Sequence, residues 1–218
     1  MGALTFPRLA ALTLAAALLA AGCTNPFSPA DPEAPTAGGV VSNFSSPDKV
    51  LDTIAEAISA EAGGAVAYGD ALADSTTGST PFGFYAVPDP LALTTWRQSS
   101  GRDPYDVGDV RHEKLFFADL LTVLDSFDYT FVFAEDTNSP NDDIDLSNGT
   151  ALLHRYYILQ ATKGSIEEII AVGYADLYLR KYNGRWWLVR WDDRIDPTIG
   201  VNPVNLYNRS MGWRRLDL

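Results

Sequence analysis

Between two runs of alternating apolar and polar residues, "GYADLYLRKY" and "RWWLVRWDD", the chain carries the dipeptide Asn183-Gly184. A two-residue type I′ turn needs positive φ at both central positions, which Asn and Gly tolerate and β-branched residues do not. The dipeptide therefore commits the flanking runs to one antiparallel hairpin. Pairing outward from the turn predicts Arg180 beside Trp187, Leu179 opposite Leu188, Tyr178 opposite Val189 and Asp176 beside Trp191. Apolar groups fall on both faces of that ladder, as in a curved sheet that buries one side under helices.

The same period of two runs through "FDYTFVFAED", "ALLHRYYILQAT" and "EEIIAVGYADLYLRKY", which read as strands. Earlier segments have a different period. Ser46, Pro47 and Asp48 are helix-start residues, and Val50, Leu51, Ile54, Ala55 and Ile58 follow at helical spacing up to Gly63-Gly64. "AVAYGDALAD" reads as a short second helix interrupted by Gly69, and "PFGFYAVPD" as a strand stopped by Pro88. A polar, Gly-rich connection is expected next. Asp109 then caps a helix whose stripe is Val110, Leu115, Leu120, Leu121 and Leu124. Helices first and a long antiparallel sheet afterwards predict an α+β domain.

The order helix, helix, strand, helix and long strands, closed by "GYADLYLRKYNGRWWLVRWDDR", resembles the nuclear transport factor 2-like superfamily, the cystatin-like α+β cones. The resemblance covers about residues 46–196. It implies N-terminal helices packed on a strongly curved, mostly antiparallel sheet, with a pocket between the two. Enzymes of that superfamily, ketosteroid isomerase and scytalone dehydratase, place Asp, His or Tyr in the pocket. The superfamily also implies a homodimer, through the outer face of the sheet, as one possible assembly.

The amino terminus constrains location. Residues 1–22 hold one cation, Arg8, no acidic group, and an apolar core from Leu9 to Ala21, too short to span a bilayer but suited to a secretory signal. Leu18, Leu19, Ala20, Ala21 and Gly22 lead into Cys23, the only cysteine of the 218 residues, and this resembles the bacterial lipobox. One departure is Ala20 three places before the cysteine, where the family prefers Leu. The lipoprotein resemblance implies a diacylglycerol thioether and an N-acyl chain on Cys23, and two or more chains give stable anchoring at about 0.8 kcal/mol per methylene. Thr24 in place of Asp implies the outer membrane in a bacterium with two membranes, and more broadly a lipid-anchored place in the cell envelope. The whole chain has 16 basic and 28 acidic residues; losing Arg8 leaves 15 against 28, a net charge of −13. Such a surface argues against nucleic acid as a partner.

Pro26, Pro29, Pro32 and Pro35 recur every third residue, so residues 23–45 read as a lipidated cysteine and an extended tether. A flexible chain of that length spans roughly 26 Å on average. The domain follows as 46–218, with a carboxy-terminal extension.

Few residues carry chemistry. His154 in "LLHRYY" and Asp176, flanked by Tyr174 and Tyr178, are the candidate acid–base groups, since a carboxyl between aromatics can have its pKa raised by desolvation. Arg180 and Arg190 in the same hairpin offer Asp176 ion pairs instead. His112, in "RHEK", lacks the second histidine of a zinc-protease helix and is expected on the surface. "WDDRID" reads as a solvated salt-bridge cluster at a strand end. In "NSPNDDIDLSNG" the alternation of Asp143, Asp145 and Ser147 departs from a calcium loop, and no metal is assigned. The chain has no glycine-rich phosphate loop, nucleophile elbow or Cys–His pair, and no cofactor is expected. Trp186, Trp187 and Trp191 cannot all face one side, so Tyr174, Tyr178, Trp187 and Trp191 are candidate contacts for a ligand or partner. These observations lead to a membrane-anchored envelope lipoprotein that binds a small ligand or an envelope protein without catalysis. The alternative is an isomerase, dehydratase or cyclase-like enzyme using Asp176 or His154.

Overall fold

The computed structural model describes residues 39–60, 63–100, 109–124, 127–198 and 210–216, all within one compact unit, Ala37–Leu218. The predicted signal peptide, Cys23 and most of the predicted tether lie outside the described residues.

Helix α1, Pro47–Ser59, starts as its sequence dictates, with the Ser46 hydroxyl accepting the Lys49 amide at 3.4 Å and Pro47 in the first turn. Its buried face holds Val50, Leu51, Ile54, Ala57 and Ile58. Contacts begin before the cap: Trp186 donates its amide to the Phe44 carbonyl at 3.0 Å, and Asn43 bonds the Thr53 hydroxyl at 3.0 Å. Helix α2, Gly64–Ala71, brings Tyr68 into the core, where it stacks on Phe117 with ring centroids 4.1 Å apart. Strand β1, Tyr85–Val87, is followed by a helix where a polar connection was expected: α3, Pro90–Ser100. Its start was written in the sequence, because Asp89 caps the Leu91 and Ala92 amides at 2.7 and 3.2 Å and Pro90 occupies the first turn.

Helix α4, Val110–Leu124, is capped by Asp109, which accepts the His112 amide at 2.9 Å. Its stripe differs from the expected one. Leu115 is 57% exposed, while Glu113, Phe116 and Phe117 face the core with Val110, Leu120 and Leu124. The carboxylate takes an apolar position because the fold supplies it with partners.

The sheet has six strands in the order β1-β6-β5-β4-β2, with β3 also on β4. These are β2, Asp128–Glu135; β3, Asp143–Asp145; β4, Thr150–Lys163; β5, Ile166–Tyr182; and β6, Arg185–Arg194. All pairs are antiparallel except β1 with β6. The α+β expectation, helices packed on a curved and mostly antiparallel sheet, holds. Asn183 and Gly184 have φ of 50° and 79°, as the type I′ turn requires.

Counting outward from that turn succeeds for two cross-strand pairs and then fails. Arg180 pairs with Trp187 and Leu179 with Leu188, but a bulge leaves Val189 over, so Tyr178 pairs with Arg190 and Asp176 with Asp192. One extra residue flips every later side chain of β6 to the opposite face. Trp191 and Asp193 consequently point inward, and Asp192 and Arg194 outward. A terminal helix, α5, Met211–Leu216, lays Leu216 against Trp96 and Ala92 of α3 in a second small cluster.

Strands β4, β5 and β6 leave no room for a side chain at Gly173. A Cβ there would lie 2.6 Å from the Arg194 carbonyl oxygen and 2.7 Å from the Tyr157 hydroxyl. Gly173→Ala is therefore expected to cost roughly 1–3 kcal/mol of stability. Urea unfolding checks it; an unchanged midpoint would show that the strands yield freely.

Candidate functional site

Two polar assemblies lie on opposite faces of the sheet. Inside, Glu113 of α4, 1% exposed, accepts Arg215 Nε at Oε2 and Arg215 Nη2 at Oε1, both at 2.7 Å. The Tyr68 hydroxyl donates to the same Oε1. The Arg215 guanidinium lies 4.5 Å from the Trp191 ring centroid and 5.3 Å from that of Phe116. Burial opposes the Arg215 charge, but Glu113 outweighs it and holds the guanidinium protonated more firmly than usual. Beside this group Tyr157 donates to Asp193 Oδ1 at 2.6 Å and accepts the Met211 amide at 2.7 Å. Burial pushes the Asp193 carboxyl up to about 6, against the pull of Arg215 and its hydrogen bonds. Burial, and then the Asp193 charge, likewise push the Tyr157 hydroxyl well above its ordinary value.

This corrects the reading of "WDDRID" as a solvated cluster. Asp193 is 3% exposed because the bulge turns it inward with Trp191. Glu113, Arg215 and Tyr157 also escaped the sequence reading. The signal available was the period of two that continues from Trp191 to Asp193; nothing local marked Glu113 or Arg215.

Outside, the strand register sets two rows of cross-strand partners: His154, Asp176 and Asp192, and next to it Ala134, Tyr156, Tyr174 and Arg194. His154 Nδ1 and Asp176 Oδ1 are 2.7 Å apart, and Arg194 Nη2 donates to the same Oδ1 at 2.8 Å. Arg194 also reaches Asp136 at 3.4 Å and the Ser139 hydroxyl at 3.2 Å. The two candidate acid–base groups thus meet on the outer face as a hydrogen-bonded pair, with Arg194 ion-paired to Asp176. Arg190 bonds Asp192 at 2.5 and 2.6 Å and lies 5.2 Å from the Tyr178 ring centroid.

The candidate contact aromatics divide. Tyr174 and Tyr178 stand on the outer face, and Trp187 is covered by the Arg185 guanidinium at 3.9 Å. Trp191 is fully buried between Phe133 and Tyr157, at centroid distances of 5.6 and 5.8 Å. His112 is exposed and bonded to Asp109 at 2.9 Å. Asp145 accepts from Ser147 and Asn148 in a local turn. Among the described residues no group of three or more His, Cys, Asp or Glu side chains is placed to hold a metal ion.

Around Tyr174 the outer face is concave. A cavity of about 430 Å³ reaches from Asp89 and Pro197 to Arg194, and a second of about 290 Å³ lies toward Tyr156 and Glu135. Tyr174, Asp136 and Asn138 line both. Tyr156 and Tyr174 meet at 5.1 Å with ring planes 60° apart.

No family model matches this chain, and no curated protein matches it. Among solved structures it is similar to a function-unknown protein of Mycobacterium tuberculosis at 9% identity and TM-score 0.46, over 78% of this chain and 81% of that one. A scytalone dehydratase-like protein of Novosphingobium aromaticivorans gives 12% and 0.45, over 76% and 90%. The Kfla4162 protein of Kribbella flavida gives 10% and 0.38, over 67% and 86%. Likeness this distant carries nothing about activity.

The raised Asp193 carboxyl has a thermodynamic consequence. A folded-state pKa above the unfolded value stabilises below the unfolded pKa, and that stability is lost as pH rises through about 6. Relative to Asp193→Asn, the wild type should gain on the order of 1 kcal/mol between pH 7.5 and pH 5. Paired urea titrations at the two pH values check this; parallel behaviour of the two proteins would contradict it.

Proposed function

We propose that this chain is a lipid-anchored protein of the bacterial cell envelope whose nuclear transport factor 2-like domain binds a small ligand or a protein partner without catalysis. The observation that carries the binding reading is the division between the two faces. The interior, where an isomerase or dehydratase of that superfamily would hold substrate, contains Arg215, Glu113 and Trp191 packed on one another. His154 and Asp176 are occupied with each other and with Arg194 on the opposite face, next to the paired cavities. The anchor rests on the lipobox-like run before Cys23, and the tether on the proline spacing after it.

Cys23→Ser tests the anchor. The wild type should sediment with membranes and carry acyl chains by mass analysis, and the variant should be released. A variant that stays attached, with no acyl mass on the wild type, would contradict the anchor.

Native mass spectrometry of the full chain from cell extract tests the binding. A retained small molecule or partner protein, lost in Tyr174→Ala, is the expected result; a bare chain would contradict it. A second reading has one observation in its favour. Asp193, titrating at about 6 and held by Tyr157, is a buried carboxyl suited to general acid–base work. On that reading retention fails in Asp193→Asn and survives in Tyr174→Ala.

A further inference from the structure

The two cavities that meet at Tyr174 differ in charge. The walls of the smaller, about 290 Å³, include Tyr156, Tyr174, Asp136 and Asp196 and no described cationic side chain. Arg194 lines the larger, about 430 Å³, together with Ile195 and Pro197. Its guanidinium is shared by two carboxylates, Asp176 at 2.8 Å and Asp136 at 3.4 Å. Burial opposes the Asp136 charge, but bonds from Ser139, Asn138 and Arg194 outweigh it and hold the carboxyl below the usual range. Asp196 pairs with no described cation. The smaller cavity therefore carries uncompensated negative charge, which repels an anion and attracts a cation.

Asp196 also has acceptor capacity to offer. It is 7% exposed, and its Oδ1 accepts the Thr198 amide at 2.8 Å and the Thr198 hydroxyl at 2.6 Å. Its Oδ2 bonds no described residue, although the side chain lines the cavity. Burial, and then the charge of Asp196, push the Tyr156 hydroxyl above its ordinary value, which sets this carboxylate close to the phenol.

The rest of the lining narrows the kind of cation. Among the described residues no three acidic, His or Cys side chains converge on one point, so a metal ion would lack its ligands. Two aromatic walls, Tyr156 and Tyr174, stand 5.1 Å apart with planes 60° to each other, and aromatic faces attract organic ammonium groups. An unbonded carboxylate oxygen calls for an N–H donor, which a protonated amine has and a quaternary ammonium lacks. Across Tyr174, Arg194 opposes a second positive charge, while Ile195 and Pro197 offer apolar surface for a tail.

We propose that the outer-face cleft binds a protonated alkylamine, its ammonium against Asp196, Tyr156 and Tyr174 and its alkyl chain crossing Tyr174 toward Ile195 and Pro197. The inference rests on the non-catalytic binding reading and names the ligand class of that same site.

The test uses the full chain with hexylamine, hexyltrimethylammonium and 1-hexanol as probes, read by calorimetry and saturation-transfer difference NMR. The three share one tail and differ in charge and in N–H donors. Hexylamine should bind about tenfold or more tightly than either of the others. Asp196→Asn keeps an oxygen for the Thr198 bonds and should remove that preference, with unchanged circular dichroism and melting. Tyr156→Leu, on the sheet's outer face, should weaken hexylamine as well. Equal binding of hexylamine and hexanol, or a preference that survives Asp196→Asn, would overturn the inference. Hexyltrimethylammonium bound as tightly as hexylamine would overturn the N–H contact to Asp196 and with it the ligand class. No probe bound, with a molecule still retained in native mass spectrometry, would overturn the amine inference alone; no probe bound and a bare chain would overturn the binding reading too.

Discussion

A guanidinium and a carboxylate deep in an apolar interior set the terms for this domain. Taking both charges out of water costs several kcal/mol per ion, and only close, fully bonded geometry offsets that cost. Arg215 and Glu113 meet most of that demand with two bonds of 2.7 Å, a third from Tyr68, and the Trp191 ring beneath the guanidinium, while Arg215 Nη1 stays buried without a hydrogen-bond partner. The pair joins α4 to a terminal helix of six residues that is too short to persist alone. Tyr68 brings in α2, Trp191 brings in β6, and Met211 brings in β4 through Tyr157. The helical layer, the sheet and the end of the described chain are locked by one connected set of polar contacts.

The bulge at Val189 decides what each face of the sheet becomes. Had β6 continued in register, Trp191 would stand opposite Asp176 on the outer face. The extra residue sends Trp191 and Asp193 into the interior, beside Tyr157 and Arg215, and sends Asp192 and Arg194 outward. Arg194 then completes the outer set with Asp176, His154 and Asp136 and forms one wall of the cleft at Tyr174. A single irregular residue thus places an arginine at the outer cleft and a carboxylate at the inner lock.

Local rules made much of the fold legible. Ser46 and Pro47, Asp109, and Asn183-Gly184 each act through a cap or a turn that depends on neighbours a few residues away, and each behaves as those neighbours dictate. The period of two found β2, β4, β5 and β6. The candidate sites were legible only in part. Tyr174, Asp176 and His154 were picked out as polar or aromatic groups on alternating strands, yet the pairing of His154 with Asp176 depends on a register shift in the β4–β5 ladder between Leu159 and Gln160 that no residue type announced. Glu113 looked like any solvated helix carboxylate and Leu115 like core. Their exchange is imposed by Arg215, 102 residues away, and pattern reading cannot see so distant a contact. Helix α3 was overlooked although Asp89 and Pro90 are ordinary start signals, because the polar residues after them masked the helical face of Ala92 and Trp96.

The central claim is that the Glu113–Arg215 pair holds the interior closed. A thermodynamic cycle of Glu113→Leu, Arg215→Met and the double variant, read by urea unfolding, tests it most directly. The account predicts that each single change costs about 3–5 kcal/mol by stranding a buried charge, and that the double variant costs far less than their sum. Small and additive losses, below about 1 kcal/mol each, would mean that the pair is as weak as a surface ion pair and that the interior closes without it.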